Sequence, residues 1–358
     1  MSGSDTMRAF VLRETGEVAV MEKPVPEPGP NDVVIRTTAA MVCTSDIHTA
    51  SGGMPVPPDW TMGHEAVGTV HAVGSAVTGL TVGSRVAVGG VIPCFQCDSC
   101  QRGFSSQCGG RTMGAAAYTQ HGGMLAEYFL VPHAQANVVA IPDSVTDHAA
   151  VYATDMLSTG FVAAEHAELK LGETVAVLGQ GAVGLSATVG CRLLGAGLVI
   201  AVEPVPRRQE LARHFGADLV IDPAEGNTVE QIRELTGGLG ADAVIEAYGS
   251  PGTWQDAFRA TKPGGRISSV GYHADAGGPL VVPHDAIGHG MADKQLYMGF
   301  NAGGRERLGR ILRLIENGRV DPTAMTTHQF GFDRIVDAFH AMAQQEGGII
   351  KPLITFPS

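Results

Sequence analysis

"TVAVLGQGAVGLSATVGCRLLGA", residues 174–196, decides the fold, because it runs strand, glycine turn and helix in immediate succession. Gly179, Gly181 and Gly184 form G-x-G-x-x-G directly after an apolar run that ends at Leu178. A bare glycine pattern is weak. Set between a strand and a helix inside a βαβ unit, it predicts a dinucleotide-binding turn. The first glycine makes the turn, the second lets a pyrophosphate approach the backbone, and the third lets helix and strand pack closely. Backbone around Gly181, Ala182 and Val183 then opens the helix, whose free N–H groups and dipole favour a phosphate.

The texture on either side supports this reading. Downstream, "LVIAVE", "LVID", "ADAVIEAYG" and "RISSVGY" are short apolar runs separated by helix-like segments such as "PRRQELARHFGA" and "TVEQIRELTG". That alternation predicts a parallel sheet with helices on both faces. Glu203 closes "LVIAVE". Its carboxylate suits ribose hydroxyls and repels a 2′-phosphate, so NAD is expected over NADP. Arg207 and Arg208 follow at the head of a helix, where Arg208 is a candidate cofactor contact. Beyond Asn301 come one amphipathic helix, "RERLGRILRLIENGRV", and a mixed tail.

Upstream the chain is β-rich. "MRAFVL" and "VAVMEK" flank the turn "RETGE" and read as a hairpin. A Pro-rich connection feeds a strand from Val33. "EAVGTVHAVGSAVTGLTVGSRVAV" alternates small and β-branched residues around glycine turns, which suggests a coiled antiparallel barrel.

Composition bounds the function. At 358 residues the chain has room for two domains with cores of their own. Its 24 basic and 36 acidic residues give a formal charge of −12. That argues against nucleic acid or an anionic membrane as partner. The N-terminus lacks the basic region and apolar run of a secretory signal, and no apolar stretch approaches the roughly 18 residues of a membrane span. A cytoplasmic, reducing setting is the expectation, in which clustered cysteines more often bind metal than pair.

Such a cluster stands at 93–108, "PCFQCDSCQRGFSSQC", with Cys94, Cys97, Cys100 and Cys108 spaced C-x2-C-x2-C-x7-C. Short steps let thiolates converge on one tetrahedral Zn²⁺ at about 2.3 Å. Paired disulfides and an iron–sulfur cluster are the rivals. Four thiolates leave no open position and a net charge of −2, so such a site is a cross-link and not a catalyst. Chemistry is sought elsewhere. "MVCTSDIH" carries Cys43, Ser45, Asp46 and His48, and "MGHEAVG" carries His64 and Glu65. Singly, Cys43 and His64 suit a core. Together, thiolate, imidazole and a third donor make an open zinc site. Asp155 in "VYATDMLSTGF" is the expected third donor, since a carboxylate in that apolar stretch is costly to bury without a cation.

With "GHEAVG", "GQGAVG" and the cysteine run in place, the chain resembles a zinc-dependent medium-chain alcohol dehydrogenase over essentially its whole length. "CTSDIHT", "DMLSTGF", "GMADK", "GGRERLGRI" and "IKPLI" are similar to the secondary alcohol dehydrogenase branch. The resemblance implies an α/β plus β fold. A GroES-like coiled β-barrel catalytic domain takes residues 1–156 and 301–358, with the structural zinc lobe at about 93–110. A doubly wound, parallel-sheet Rossmann domain takes 157–300, with the active site in the cleft between them. It implies Cys43, His64 and Asp155 on a catalytic zinc, and Glu65 as an additional or exchanging ligand. It further implies a Ser45–His48 proton relay and Asp46 orienting His64. Lys351 is then expected at the pyrophosphate, with an exposed, solvent-facing lysine as the alternative, and Met113, Tyr272 and Gly89 to Ile92 are expected at the substrate.

The implied reaction is reversible hydride transfer between an alcohol, expected to be secondary, and its ketone or aldehyde, with two zinc ions per subunit. A homotetramer or homodimer is implied. Polyol or threonine dehydrogenases of the same superfamily, and a catalytically inactive NAD-binding homologue, are the alternatives. The best-known members of the branch lack the cysteine run and carry a Gly-Ser-Arg-type NADP-reading turn where this chain has Glu203, Pro204 and Val205.

Overall fold

The computed structural model describes residues 6–116, 121–273 and 278–357. The chain divides into two units, Met1–Ser158 with Asn301–Ser358, and Thr159–Phe300.

In the second unit, six parallel strands lie in the order Leu219–Ile221, Leu198–Val202, Thr174–Leu178, Ala241–Glu246, Thr261–Ser269, Gln295–Met298. The order reverses beside Thr174–Leu178, which places the glycine turn at the switch point where open α/β sheets bind ligands. The strands are apolar on both faces because both are covered. Val175, Val177, Val199 and Ile245 pack into one core with Ala187 and Cys191. Ala176, Leu178, Ile200 and Val244 pack into the other with Trp254 and Phe258. Successive side chains thus serve opposite cores, as the strand period of two requires. The helix Pro206–His214 starts on a proline, and Asn227 caps Thr228–Leu235 by accepting the Glu230 N–H.

In the first unit, Thr6–Glu14 and Glu17–Pro24 pair as the expected hairpin, joined by Trp60–Thr61. A larger, mostly antiparallel sheet runs Thr326–Gly331, Lys351–Thr355, Val33–Met41, Glu65–Val73, Arg85–Val88, Val138–Ala140. One register matters for the site. Met41 lies opposite Glu65 on one side and opposite Leu353 on the other. The end of the strand Val33–Met41 therefore meets the start of Glu65–Val73 and the start of Lys351–Thr355. The mixed tail contributes an inner strand of this sheet, which its sequence does not announce.

Two helices were likewise not apparent. Asp147–Thr154 and Met156–His166 are separated by Asp155, whose φ of −139° and ψ of −58° break the helical path. From Ala149 to Phe161 every side chain is buried, so no polar stripe marks a helical period. Among the described residues, no helix is long and apolar enough to cross a membrane.

Candidate active site and metal centres

The four cysteines converge. Sγ of Cys97 lies 3.5 Å from that of Cys100 and 3.8 Å from that of Cys108, and Cys108 lies 3.5 Å from Cys94. Disulfides are excluded, since bonded sulfurs sit about 2.05 Å apart. Sulfurs about 2.3 Å from a central ion form a tetrahedron with edges of about 3.8 Å. The spacing suits a single ion, whereas a multi-iron cluster would divide the four sulfurs among two or more irons and hold those on different irons farther apart. Backbone N–H groups aim at the sulfurs. Cys97 and Gln96 donate to Cys94 at 3.3 and 3.4 Å, and Gly109 donates to Cys97 at 3.2 Å. Donation from Gly109 and Cys100 lowers the Cys97 thiol to about 6, while burial pushes Cys100 up to about 12. The lobe has little core of its own, and Phe104 is 52% exposed. It is tied down by Ser105, donating to the Ala302 carbonyl at 2.7 Å, and by Asn137, donating to that of Pro93 at 3.0 Å.

The second cluster is assembled from distant segments. Cys43 precedes the helix Thr44–Ala50, His64 and Glu65 open their strand, and Asp155 breaks the paired helices. One donor atom from each of the four lies within 4.8 Å of the others, and all four residues are buried. His64 Nε2 sits 3.4 Å from Asp155 Oδ2, 3.4 Å from Ser45 Oγ and 3.9 Å from Glu65 Oε1. Its Nδ1 faces Asp46 Oδ1 at 3.5 Å, while Asp46 Oδ2 accepts the Cys43 N–H at 2.8 Å. Asp46 thus links two of the donors. His48 falls one turn after Ser45 on the same helix, and both are half-buried.

Local backbone explains the convergence. Gly63 has φ +88°, and a Cβ there would lie 2.2 Å from Leu125. Only glycine lets the chain turn beneath His64. A Cβ at Gly90 would reach 2.8 Å from the His64 carbonyl, so the segment Gly89 to Ile92 runs against the site. Met113 is half-buried with φ +55° in the same unit, and Tyr272 belongs to the other.

The charge pattern fits a cation. Burial opposes protonation of His64, yet Asp46 and Asp155 prevail and hold the metal-free ring well above its usual range. Burial raises the Glu65 carboxyl although Lys351 pulls it down. A thiol, an imidazole and two carboxylates brought together in one buried cluster form a donor set suited to zinc.

Lys351, expected at a pyrophosphate, is only 1% exposed. Its ammonium donates to Glu65 Oε1 at 2.5 Å and to the Val42 carbonyl at 3.2 Å. A buried ammonium needs a counter-ion, and Glu65 supplies it.

In the parallel-sheet unit, the glycine turn has the geometry its spacing predicts. Gly179 takes φ +87°. A Cβ at Gly184 would lie 1.9 Å from the Gly179 carbonyl, and one at Gly181 would meet nothing within 4 Å. That open face leaves room for a phosphate above Ala182 and Val183, which begin the helix Ala182–Leu193. Glu203 is buried beside this turn. Its Oε2 accepts the Gln180 N–H at 2.8 Å, and its Oε1 accepts that of Val205 at 3.0 Å. Each oxygen keeps capacity for a ribose hydroxyl. Arg208 is half-buried on the first turn of its helix and Arg207 is exposed.

One buried acid escaped notice in the sequence. Glu246 ends its strand fully buried, and its Oε1 accepts from the Gly249 and Tyr248 N–H groups and the Thr253 hydroxyl. Its Oε2 faces His273 Nε2 at 3.3 Å. In "ADAVIEAYG" it reads as one more strand-end residue.

A family model for the alcohol dehydrogenase GroES-like domain matches residues 29–143, and one for zinc-binding dehydrogenase matches 182–317. An alcohol dehydrogenase of Cupriavidus necator is 40% identical over 359 residues, spanning 96% of this chain and 97% of that protein. An NADP-dependent isopropanol dehydrogenase of Thermoanaerobacter brockii is 40% identical over 350 residues, spanning 97% and 99%. The solved structure of an alcohol dehydrogenase from Thermus sp. ATN1 matches with TM-score 0.88 at 30% identity, covering 98% of this chain and all of that one (100%).

Proposed function

Because this chain belongs to the zinc-dependent medium-chain alcohol dehydrogenases, we propose that Cys43, His64 and Asp155 hold its catalytic zinc. Glu65 stands beside them as an alternative donor, and the four cysteines hold a structural zinc. The fold is the family's GroES-like β domain with a Rossmann domain, and the reaction is the NAD(P)-linked interconversion of an alcohol and its carbonyl compound. The observation that carries the site assignment is the approach of four buried donors to within 4.8 Å of one another, with a serine hydroxyl beside them.

When bound, zinc supplies a Lewis acid that acidifies an alcohol, and the dinucleotide supplies a hydride acceptor. The chain's own residues do the rest. Cys43 and Asp155 would bring two negative charges to a divalent ion, half what four thiolates bring, and so would leave it the more electrophilic of the two ions. Asp46 fixes the His64 ring so that Nε2 points into the cluster. Ser45 Oγ takes the proton that the alcohol loses, and His48, one turn along the helix, exchanges it with solvent.

The cofactor is NAD. Support comes from Glu203, a buried carboxylate beside the phosphate turn, which disfavours a 2′-phosphate by charge. The T. brockii relative is NADP-dependent, and this chain differs from the branch's NADP-reading turn at Glu203, Pro204 and Val205. The substrate is a secondary alcohol, a reading supported by that relative's name. The test is reduction of NAD and NADP by 2-propanol and 1-propanol, with zinc content measured on the same sample. NAD with 2-propanol should be fastest, at two zinc ions per chain. Replacement of Glu203 with Ala should narrow the NAD-over-NADP preference by about tenfold, and an unchanged ratio would remove Glu203 from cofactor choice.

The protein assembles as a homodimer or a homotetramer. The edge strand Gln295–Met298 is exposed at all four positions, including Leu296, Tyr297 at 44% and Met298 at 58%. An edge with apolar side chains and unpaired backbone groups is a pairing surface, and a second copy related by a two-fold axis would continue the sheet.

A further inference from the structure

Beside the catalytic cluster lies a buried ion pair, Lys351 with Glu65, whose cation has no part in the reaction. Glu65 is wholly buried, and its two oxygens differ. Oε1 accepts from Lys351 Nζ at 2.5 Å and is also the oxygen 3.9 Å from His64 Nε2. Oε2 is buried without a hydrogen-bond partner among the described residues. Lys351 in turn is anchored by the Val42 carbonyl, next to Cys43. The strand register fixes both ends, since Met41 lies opposite Glu65 and Leu353.

From this juxtaposition we propose that Lys351 is a positioning residue that competes with the catalytic metal for Glu65. The ammonium occupies the oxygen nearest the cluster and so holds the carboxylate back from the ion, which keeps one coordination position open for substrate. Without that positive charge, a wholly buried carboxylate has one strong partner left within reach, and that is the metal. Such a site has four protein ligands and is closed. The inference rests on the assignment of Cys43, His64 and Asp155 as ligands.

The test is cobalt replacement of zinc in the whole protein. The four-cysteine ion contributes equally to wild type and variants, so difference spectra isolate the other site. In Lys351→Met, the visible cobalt bands should shift to those of a site with an added carboxylate ligand. Loss of that ion to a chelator should slow by about tenfold, within the range known for groups that steer ligands. Adding Glu65→Gln in the same background should reverse both changes. Lys351→Gln, which keeps a donor for Val42 but no charge, should behave like Lys351→Met and guards against a folding defect in either one. A structural role alone predicts the opposite, faster metal loss with an unshifted spectrum, and that result overturns the proposal. Failure of the wild type to take up a second cobalt ion would instead overturn the ligand assignment beneath it.

Discussion

The two donor clusters contrast in where their donors come from and in the charge those donors carry. In the cysteine lobe all four donors come from residues 94–108, bear one chemistry, and would surround an ion with no position left over. In the other cluster the donors come from residues 43, 64, 65 and 155 and mix sulfur, nitrogen and oxygen. Four thiolates overcompensate a divalent ion and make it a poor electrophile, whereas Cys43 and Asp155 only balance it. The difference teaches that a cross-link and a catalyst are told apart by donor charge and by closure. The mere presence of cysteine does not decide.

The comparison breaks most readily at His64. His64→Ala should lower kcat/KM by more than about 100-fold, beyond what loss of an orienting group costs. Zinc should fall from two ions per chain to one, and NAD binding, measured by fluorescence titration, should persist. Full activity in that variant would refute the assignment.

The mirror experiment falls on the lobe. Cys97→Ser should cost more than about 4 kcal/mol in unfolding free energy, the range of a lost metal, because Phe95 and Phe104 are too exposed to supply a core in its place. Turnover per folded, catalytically zinc-loaded molecule should stay near wild type. If activity falls while stability holds, the two clusters have been assigned the wrong way round.

A smaller effect sharpens the contrast. Asp46→Asn keeps the size of the side chain but removes the charge facing His64 Nδ1, and it should cost 10- to 100-fold in metal affinity or activity, to order of magnitude. Among the described residues the lobe has no equivalent, since its sulfurs are oriented by backbone N–H groups that substitution does not remove.

Legibility in the sequence follows the same division. The cysteine lobe and the glycine turn are local, so spacing alone specifies them, and Gly181 and Gly184 show the open and the crowded face that their roles require. The catalytic cluster depends on register across a sheet and on a break between two helices that lack a polar stripe. No spacing encodes that, and Cys43, His64 and Asp155 are grouped by donor type and by the cost of burying a lone carboxylate, with the resemblance in support. Lys351 shows the limit. In "IKPLI" a lysine reads as a solvent-facing strand residue, and only the pairing of Leu353 with Met41 reveals that its ammonium is buried against Glu65. Glu246 was missed for a related reason, since its donors are backbone groups of its own turn and the distant His273.

The least perturbing test of the contrast is pH. In the metal-free protein, His64 and Glu65 are both held above their ordinary ranges, by Asp46 and Asp155 prevailing over burial in the first case and by burial in the second. At these two groups the folded metal-free chain therefore binds more protons than the unfolded chain, and their contribution to stability should fall as pH rises. The contribution is fully present below the unfolded value of Glu65, about 4.3, and is lost as pH climbs through the raised folded values of Glu65 and then His64. A metal ion must displace those protons, so zinc affinity at this cluster should run the other way and strengthen with pH. Denaturant melts of metal-free wild type and metal-free His64→Gln across pH 4 to 8 cancel the cysteine lobe in their difference. A difference that is flat, or that rises with pH, would mean that Asp46 and Asp155 do not hold a proton on His64. The pocket would then owe its fit for a cation to something other than its paired acids.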